Sequence, residues 1–202
     1  MKLDIQRIFP TSIFCFDDVL EQEYIDSMKD DIINQSKINA EQRQANWQSV
    51  KNNKLYELPK YKELGKMALN ACIKYIDLLE YKLDDIELTD MWSNVLKPGE
   101  THPPHTHSNN IFSGVYYLEG GSEIQFFDPR PQASVLQPNT TEDNFNNSSM
   151  VGFSSDKGVG LIFPSWLQHW VTRTNKTRMS ISWNVILRGD YGKPNTLQNS
   201  HI

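Results

Sequence analysis

No stretch of the chain approaches the roughly 18 consecutive apolar residues that a membrane-spanning helix requires, so a membrane protein is not expected. Concentrated positive charge is scarce too. Lys and Arg number 20 against 25 Asp and Glu, the formal net charge is -5, and no basic stripe stands out. That balance argues against a nucleic-acid backbone as the main partner. Cysteine is limited to Cys15 and Cys72, far apart and without CxxC spacing. Two buried free thiols in a reducing compartment are expected. The opening MKLDIQRIFPTSIFCFDD lacks a basic segment followed by a long apolar one, and its IFPTSIFCF part reads as a strand rather than a secretion signal. Without such a signal, N-x-S/T sequons such as the one at Asn139 carry no weight. No internal repeat is visible. The expectation is a soluble, cytoplasmic protein with neither nucleic-acid nor membrane partners. At 202 residues, 38% of them hydrophobic, the chain can bury a core without covalent staples.

Hydrophobic periodicity divides the chain. In FDDVLEQEYIDSMKDDIINQ, Val19, Leu20, Tyr24, Ile25, Met28, Ile32 and Ile33 recur at helical spacing among acidic and polar residues, predicting an amphipathic helix. A polar stretch containing Trp47 follows and ends near Pro59. YKELGKMALNACIKYIDLLEYKL then predicts a second helix, with Leu64, Met67, Ala68, Ala71, Cys72, Tyr75, Ile76 and Leu79 on one face. From about residue 86 the pattern changes to short runs rich in β-branched and aromatic residues, bounded by Gly, Pro or Asn: IELTDMWSNVL, IFSGVYYLE, SEIQFFD, GVGLIFPS, HWVTRT and TRMSISWNVIL. With no long helix between them, these predict an antiparallel sandwich or barrel. Residues 131–157 are too polar for a core and are expected to form a lid or rim loop. The expected organisation is a single domain: an N-terminal strand and supporting helices over 1–85, a β core over 86–190, and a tail over 191–202.

Four of the five histidines, His102, His105, His107 and His169, fall within the β part. His105 and His107 are two apart in HPPHTHS, so on extended chain their side chains share a face. His169 follows the apolar strand GLIFPSW, and a barrel could bring it opposite the pair. Three imidazoles suit Fe, Zn, Cu or Ni and leave coordination positions open. A histidine-rich loop with His169 as an ordinary packed side chain is the plainer alternative. In TRMSISWNV, strand alternation puts Arg178, Ser180, Ser182 and Asn184 on one face and Met179, Ile181, Trp183 and Val185 on the other. The polar face is either a wet outer surface or the wall of a cavity. In a cavity, the guanidinium would be a fork for a carboxylate.

With these motifs in view, the sequence resembles the 2-oxoglutarate and Fe(II)-dependent oxygenases of the prolyl-hydroxylase type, in particular a branch found in marine bacteria and phages. The resemblance runs from IFPTSIF and the NWQS around Trp47 to its strongest part. That part is MWSNVLKPGETHPPHTH, SGVYYLEGG, FFDPR, LIFPSWLQHWV and TRMSISWN. The family pattern is a glycine, a His-x-Asp pair, a distal histidine, and a basic residue nine or ten positions later. Gly99, His105, His169 and Arg178 match it, while His107 stands where most relatives have Asp.

The resemblance implies a mainly β fold with α: a double-stranded β-helix, or jelly-roll, supported by N-terminal helices. It implies Fe(II) held by His105, His107 and His169, with 2-oxoglutarate as co-substrate. The far carboxylate would meet Arg178, Tyr117 and Ser180, and no catalytic group is required beyond the metal centre. Asn94, Asn184 and Arg130 are candidate contacts to a small-molecule or peptidyl substrate, although Asn94 could equally hold a hydrogen bond within the barrel, and a surface pair with a nearby carboxylate is the plainer reading of Arg130. His102 is expected to be a bystander, and Asp128 or Glu123 could supply a carboxylate ligand if His107 does not bind. Two alternatives stand: a three-histidine cupin-type dioxygenase that needs no keto acid, and an inactive barrel that binds a metal or ligand. Arg178 counts against the first.

Overall fold

The computed structural model describes residues 1–4, 6–17, 20–39 and 46–202. The chain enters through strand β1 (Phe14–Asp17), helix α1 (Gln22–Ile38) and the short strand β2 (Trp47–Gln48). Two 3-10 turns, Leu55–Glu57 and Pro59–Tyr61, lead into α2 (Lys62–Leu78). Strands follow: β3 (Asp85–Leu96), β4 (His102–His105), β5 (Phe112–Glu119), β6 (Ile124–Phe127), β7 (Met150–Phe153), β8 (Val159–Pro164), β9 (His169–Val171) and β10 (Arg178–Arg188). The short pair β11 (Asp190–Tyr191) and β12 (Ser200–His201) closes the chain.

Two antiparallel sheets face each other. The larger has the order β1-β8-β5-β10-β3-β2 and the smaller β4-β9-β6-β7. Together they make the jelly-roll expected from the run of short strands.

The helices form because their apolar residues return every three or four positions. In α2 these are Leu64, Met67, Ala68, Ala71, Cys72, Tyr75 and Ile76, all buried. The helix ends where Glu80 takes a left-handed conformation (φ 55°). The Glu80 N–H there donates to the Asp77 carbonyl and the Tyr81 N–H to the Ile76 carbonyl, closing the last turn. In α1, Ile25, Met28 and Ile32 are buried. Both helices pack on the outer face of the larger sheet, against Leu88, Met91, Val95, Tyr116, Ile181, Trp183 and Val185. Gly114 lies opposite Trp183 in the β5–β10 register, and a Cβ there would stand 2.3 Å from the indole, so only glycine admits the ring. A second core of Val115, Tyr117, Ile124, Phe126, Leu161, Phe163 and Leu167 fills the space between the sheets.

Several expectations shift. The first helix begins at Gln22, because Phe16 and Asp17 belong to β1 on the sheet edge. Val19 lies outside the described residues. The 131–157 stretch includes a 3-10 turn at Pro131–Ser134 and edge strand β7 pairing with β6. Strand β7 escapes a pattern search because Gly152 interrupts a four-residue run and only one of its faces is even half-buried. The tail turns back, so β12 pairs with β11. Cys72 is buried, but Cys15 is exposed, since β1 is an edge strand and its pleat turns that side chain outward. Among the described residues no helix is long and apolar enough to cross a membrane.

Candidate metal and anion site

Strand β10 is buried on both faces, and its alternation separates two jobs. Met179, Ile181, Trp183 and Val185 belong to the core under the helices. Arg178, Ser180, Ser182 and Asn184 therefore look the other way, between the sheets, beside Tyr117 and Ser113 of β5 and Asn94, Trp92 and Asp90 of β3. The polar face is thus a cavity wall and not a wet exterior. One small cavity is lined by Arg178, Ser180 and Ser182 together with Asn94, Trp92, His102, His105, His107 and His169.

The smaller sheet supplies the histidines. His169 opens β9 and stands opposite His105 of β4 and Phe126 of β6. Pro103 and Pro104 are tolerated because β4 is an edge strand that pairs only with β9, and its register slips between His102 and His105. His107 lies two residues beyond β4, where its backbone N–H donates to the Ser165 carbonyl at 2.9 Å. One ligand atom from each of His105, His107 and His169 lies within 4.8 Å of the others.

The Nδ1 of His105 is 2.8 Å from the Pro103 carbonyl and that of His169 is 2.9 Å from the Leu167 carbonyl. A carbonyl only accepts, which assigns the proton to Nδ1 and leaves Nε2 with the lone pair a metal needs. Burial lowers all three pKa values, to about 3 for His169 and about 4 for His107, and at those two, neighbouring imidazoles add repulsion. At neutral pH the triad is uncharged, which is the ligating state. Nitrogen donors of this kind fit a first-row divalent ion, and three of them leave room for other ligands.

Arg178 is only 2% exposed, and no carboxylate of the described residues lies within ion-pairing distance. Its guanidinium lies over the Tyr117 ring at 4.8 Å and donates from Nη1 to Ser180 Oγ at 3.2 Å. The Arg178 Nε and Tyr117 hydroxyl are both buried without a hydrogen-bond partner. Burial lowers the Arg178 pKa and raises that of Tyr117. An isolated buried cation is costly unless something pairs with it. The arrangement has the charge and the spare donors to suit an anion.

The remaining expected site residues separate. Asn94 lines the cavity, but its amide is engaged: Oδ1 accepts from Gln48 Nε2 (2.8 Å) and Trp92 Nε1 (3.1 Å), while Nδ2 donates to Ser182 Oγ (3.0 Å). Asn184 donates to Asp90 Oδ1 (3.0 Å) and accepts from Ser113 Oγ (2.7 Å). Both amides brace the cavity wall, and neither is free to serve mainly as a substrate contact. Arg130 does not reach the cavity, because it forms an exposed two-pronged pair with Asp128. Asp128 is thereby occupied, and Glu123 is exposed and takes a bond from Gln125, so neither belongs to the ligand cluster. Gly99 sits at φ 87° in the turn before β4, its N–H bonded to the Thr174 carbonyl. Sequence reasoning missed Trp92 and set aside His102, yet both line the cavity. The available signal was Trp92 two residues before Asn94, on the same strand face.

An imidazole triad that could hold a metal ion, beside a buried guanidinium inside a jelly-roll, suits a metal-dependent barrel. Residues 90–184, the stretch that carries the triad and Arg178, match the family described as "Putative 2OG-Fe(II) oxygenase". No curated protein matches the chain. Among solved structures, a Pseudomonas putida prolyl-4-hydroxylase superposes with TM-score 0.59 at 12% identity, over 87% of this chain and 93% of that one. A viral collagen prolyl hydroxylase from Paramecium Bursaria Chlorella virus-1, in complex with 2-oxoglutarate, gives 0.55 at 12% identity, over 86% and 94%. HygX from Streptomyces hygroscopicus, with nickel and 2-oxoglutarate bound, gives 0.57 at 9% identity, over 87% and 82%. At such identities the likeness is one of fold. Family match and fold agree: residues 90–184 are similar to the 2-oxoglutarate/Fe(II)-dependent oxygenases, and the chain shares its fold with solved prolyl hydroxylases.

Proposed function

We propose that this protein hydroxylates a small molecule or a peptidyl side chain, using Fe(II), 2-oxoglutarate and molecular oxygen. The observation that carries the reading is the pairing, in one cavity, of a neutral imidazole triad with a buried guanidinium that has no counter-ion among the described residues. His105, His107 and His169 would hold the iron. Arg178, Tyr117 and Ser180 would take the far carboxylate of the keto acid, which supplies the anion that the guanidinium lacks. Bound iron supplies oxygen activation coupled to decarboxylation: 2-oxoglutarate and oxygen become succinate, carbon dioxide and one transferred oxygen atom.

The chain's own part is to orient, shield and fix charge. Tyr117 presents a hydroxyl with no competing partner, and Ser180 holds the guanidinium plane in place. The Asn184–Asp90–Ser113 bonds stiffen the wall beside His107. Of residues 131–157, those before β7 serve as a lid. They leave the smaller sheet just past Phe126 and Phe127, at the end where His169 sits, and Val135, Leu136 and Phe145 stand exposed on them. The helices over 1–85 and the barrel over 86–190 act as one unit, because the helices pack directly on the outer face of the sheet that carries Arg178.

The test is anaerobic titration of the iron-loaded protein with 2-oxoglutarate. A visible charge-transfer band that saturates at one equivalent is expected. No band, with iron retained, would turn the reading toward a keto-acid-independent dioxygenase. A band without oxygen-dependent succinate would leave an inactive binding barrel.

A further inference from the structure

We infer that His102 is a binding residue for 2-oxoglutarate, a fourth imidazole that walls the passage between the metal triad and Arg178 and donates a hydrogen bond to the co-substrate's far end. The inference rests on the oxygenase reading above and adds to it a residue that the three-histidine pattern does not use.

The geometry comes from the register. In the smaller sheet, His105, His169 and Phe126 form one cross-strand row, while His102, Val171 and Ile124 form the next. The second row borders the same cavity as the first, so Val171, Ile124 and His102 line it together with the guanidinium. The His102 ring lies nearly flat on His105, with centroids 4.3 Å apart and planes at 16°. It is not in the cluster whose ligand atoms converge on one point. One face of His102 is thus committed to a ligand of the metal, while the ring edge borders the space leading to Arg178. A linear dicarboxylate that chelates at the triad and ends at Arg178 must pass this edge.

The hydrogen-bond inventory agrees. His105 and His169 each spend Nδ1 on a carbonyl, but no described residue hydrogen-bonds the His102 ring. A half-buried imidazole facing a cavity beside a cation, with a donor to spare, suits an anionic oxygen. The stack on His105 holds the ring in place, so little side-chain freedom is lost on binding.

The test measures binding rather than turnover. Protein loaded with Mn(II) is titrated calorimetrically with 2-oxoglutarate and separately with oxalate, which has the chelating end alone. Wild type, His102→Phe, His102→Gln and Arg178→Met are compared, with circular dichroism as the check on folding. Phenylalanine keeps the flat stack without a donor. It should weaken 2-oxoglutarate by roughly tenfold or more, the usual weight of a hydrogen bond to a charged group. Oxalate affinity and Mn(II) affinity should stay within about twofold. Glutamine, which restores a donor, should recover part of the loss. If the phenylalanine variant does not fold, His102→Leu against His102→Gln gives the same comparison.

Wild-type affinity in the phenylalanine variant, with Arg178→Met still impaired, would overturn the role of His102 alone. Loss of Mn(II) would overturn it in favour of direct metal ligation. Wild-type protein that takes Mn(II) but not 2-oxoglutarate would overturn the oxygenase reading, and this inference with it.

Discussion

Replacing Arg178 by methionine should change stability and binding in opposite directions. The guanidinium is 2% exposed, has an unpartnered Nε, and is offset only by the Tyr117 ring at 4.8 Å and one bond to Ser180 at 3.2 Å. Burying an ion costs several kcal/mol even after relaxation, and a partly desolvated cation–π contact returns only about 1–2 kcal/mol. Methionine has similar length, fills the channel beside Leu96 and Tyr117, and carries no charge. The ligand-free variant should therefore be more stable than wild type, by on the order of 1–3 kcal/mol. Affinity for 2-oxoglutarate should fall by roughly a hundredfold, since a charge-assisted hydrogen bond is worth about 1.5–3 kcal/mol and the far carboxylate is left unpaired. Denaturant unfolding of the Mn(II)-loaded proteins reads both quantities. At a ligand concentration of about 100 times the wild-type Kd, wild type should gain about 2.7 kcal/mol, and a variant weakened a hundredfold only about 0.4 kcal/mol. A methionine variant that is less stable without ligand and equally stabilised by it would show that Arg178 is a structural residue, and would refute the argument.

His169→Ala should lose stoichiometric iron while keeping its circular-dichroism spectrum, because β9 holds no other imidazole to replace it; metal analysis of the purified variant decides it. His107→Ala should lose most metal, whereas His107→Asp should keep it, since a carboxylate restores hard oxygen ligation and a negative charge beside the ion; iron stoichiometry and succinate yield, measured side by side, check both. In the metal-free protein, folded pKa values of about 3 for His169 and about 4 for His107 lie below the ordinary 6.5. The unfolded chain therefore takes up protons first as pH falls, and stability should drop from pH 6.5 downward by up to about 1.4 kcal/mol per pH unit per imidazole. A pH series of urea midpoints that is flat between 6.5 and 4.5 would contradict the burial of the triad.

Much of this site was legible because strand alternation is a strict rule. Once β10 was recognised, Arg178, Ser180, Ser182 and Asn184 had to share a face, and they do. Which side that face took depended on the helices, and their apolar stripes covered the opposite side through Ile181 and Trp183. The triad was legible from His-x-His spacing and a distal histidine, although His107 proved to lie past the strand end and owes its place to the Ser165 carbonyl. Two features were not legible, each for a physical reason. His102 seemed detached because two prolines follow it, and the register slip that returns it to the cavity is a tertiary effect. Asn94 and Asn184 looked like substrate contacts because an amide's partners come from distant strands, Gln48 in one case and Asp90 in the other. The surface pair of Arg130 was legible as the plainer reading, since its partner Asp128 lies only two residues away.

The polar face of β10 also explains why the ligand end is where it is. Any polar side chain between two packed sheets must find a partner inside. Toward the His107 end it does: Asn184, Asp90, Thr89, Ser113 and Ser165 bond one another, so that end is satisfied by protein alone. Further along, Ser182 is satisfied by Asn94, which is itself held by Trp92 and Gln48. At the far end the chain of partners runs out, and Arg178 Nε and the Tyr117 hydroxyl are left over. Both are donors, they belong to side chains in contact, and they border a cavity that also holds the imidazole triad. A structural network would have completed itself with an acidic side chain at this position. An arginine buried without one is stable only because the rest of the fold bears the cost, and it confers a benefit only when an anion enters. The unsatisfied end of an otherwise satisfied face is therefore what supports the proposal that the co-substrate's far carboxylate binds there.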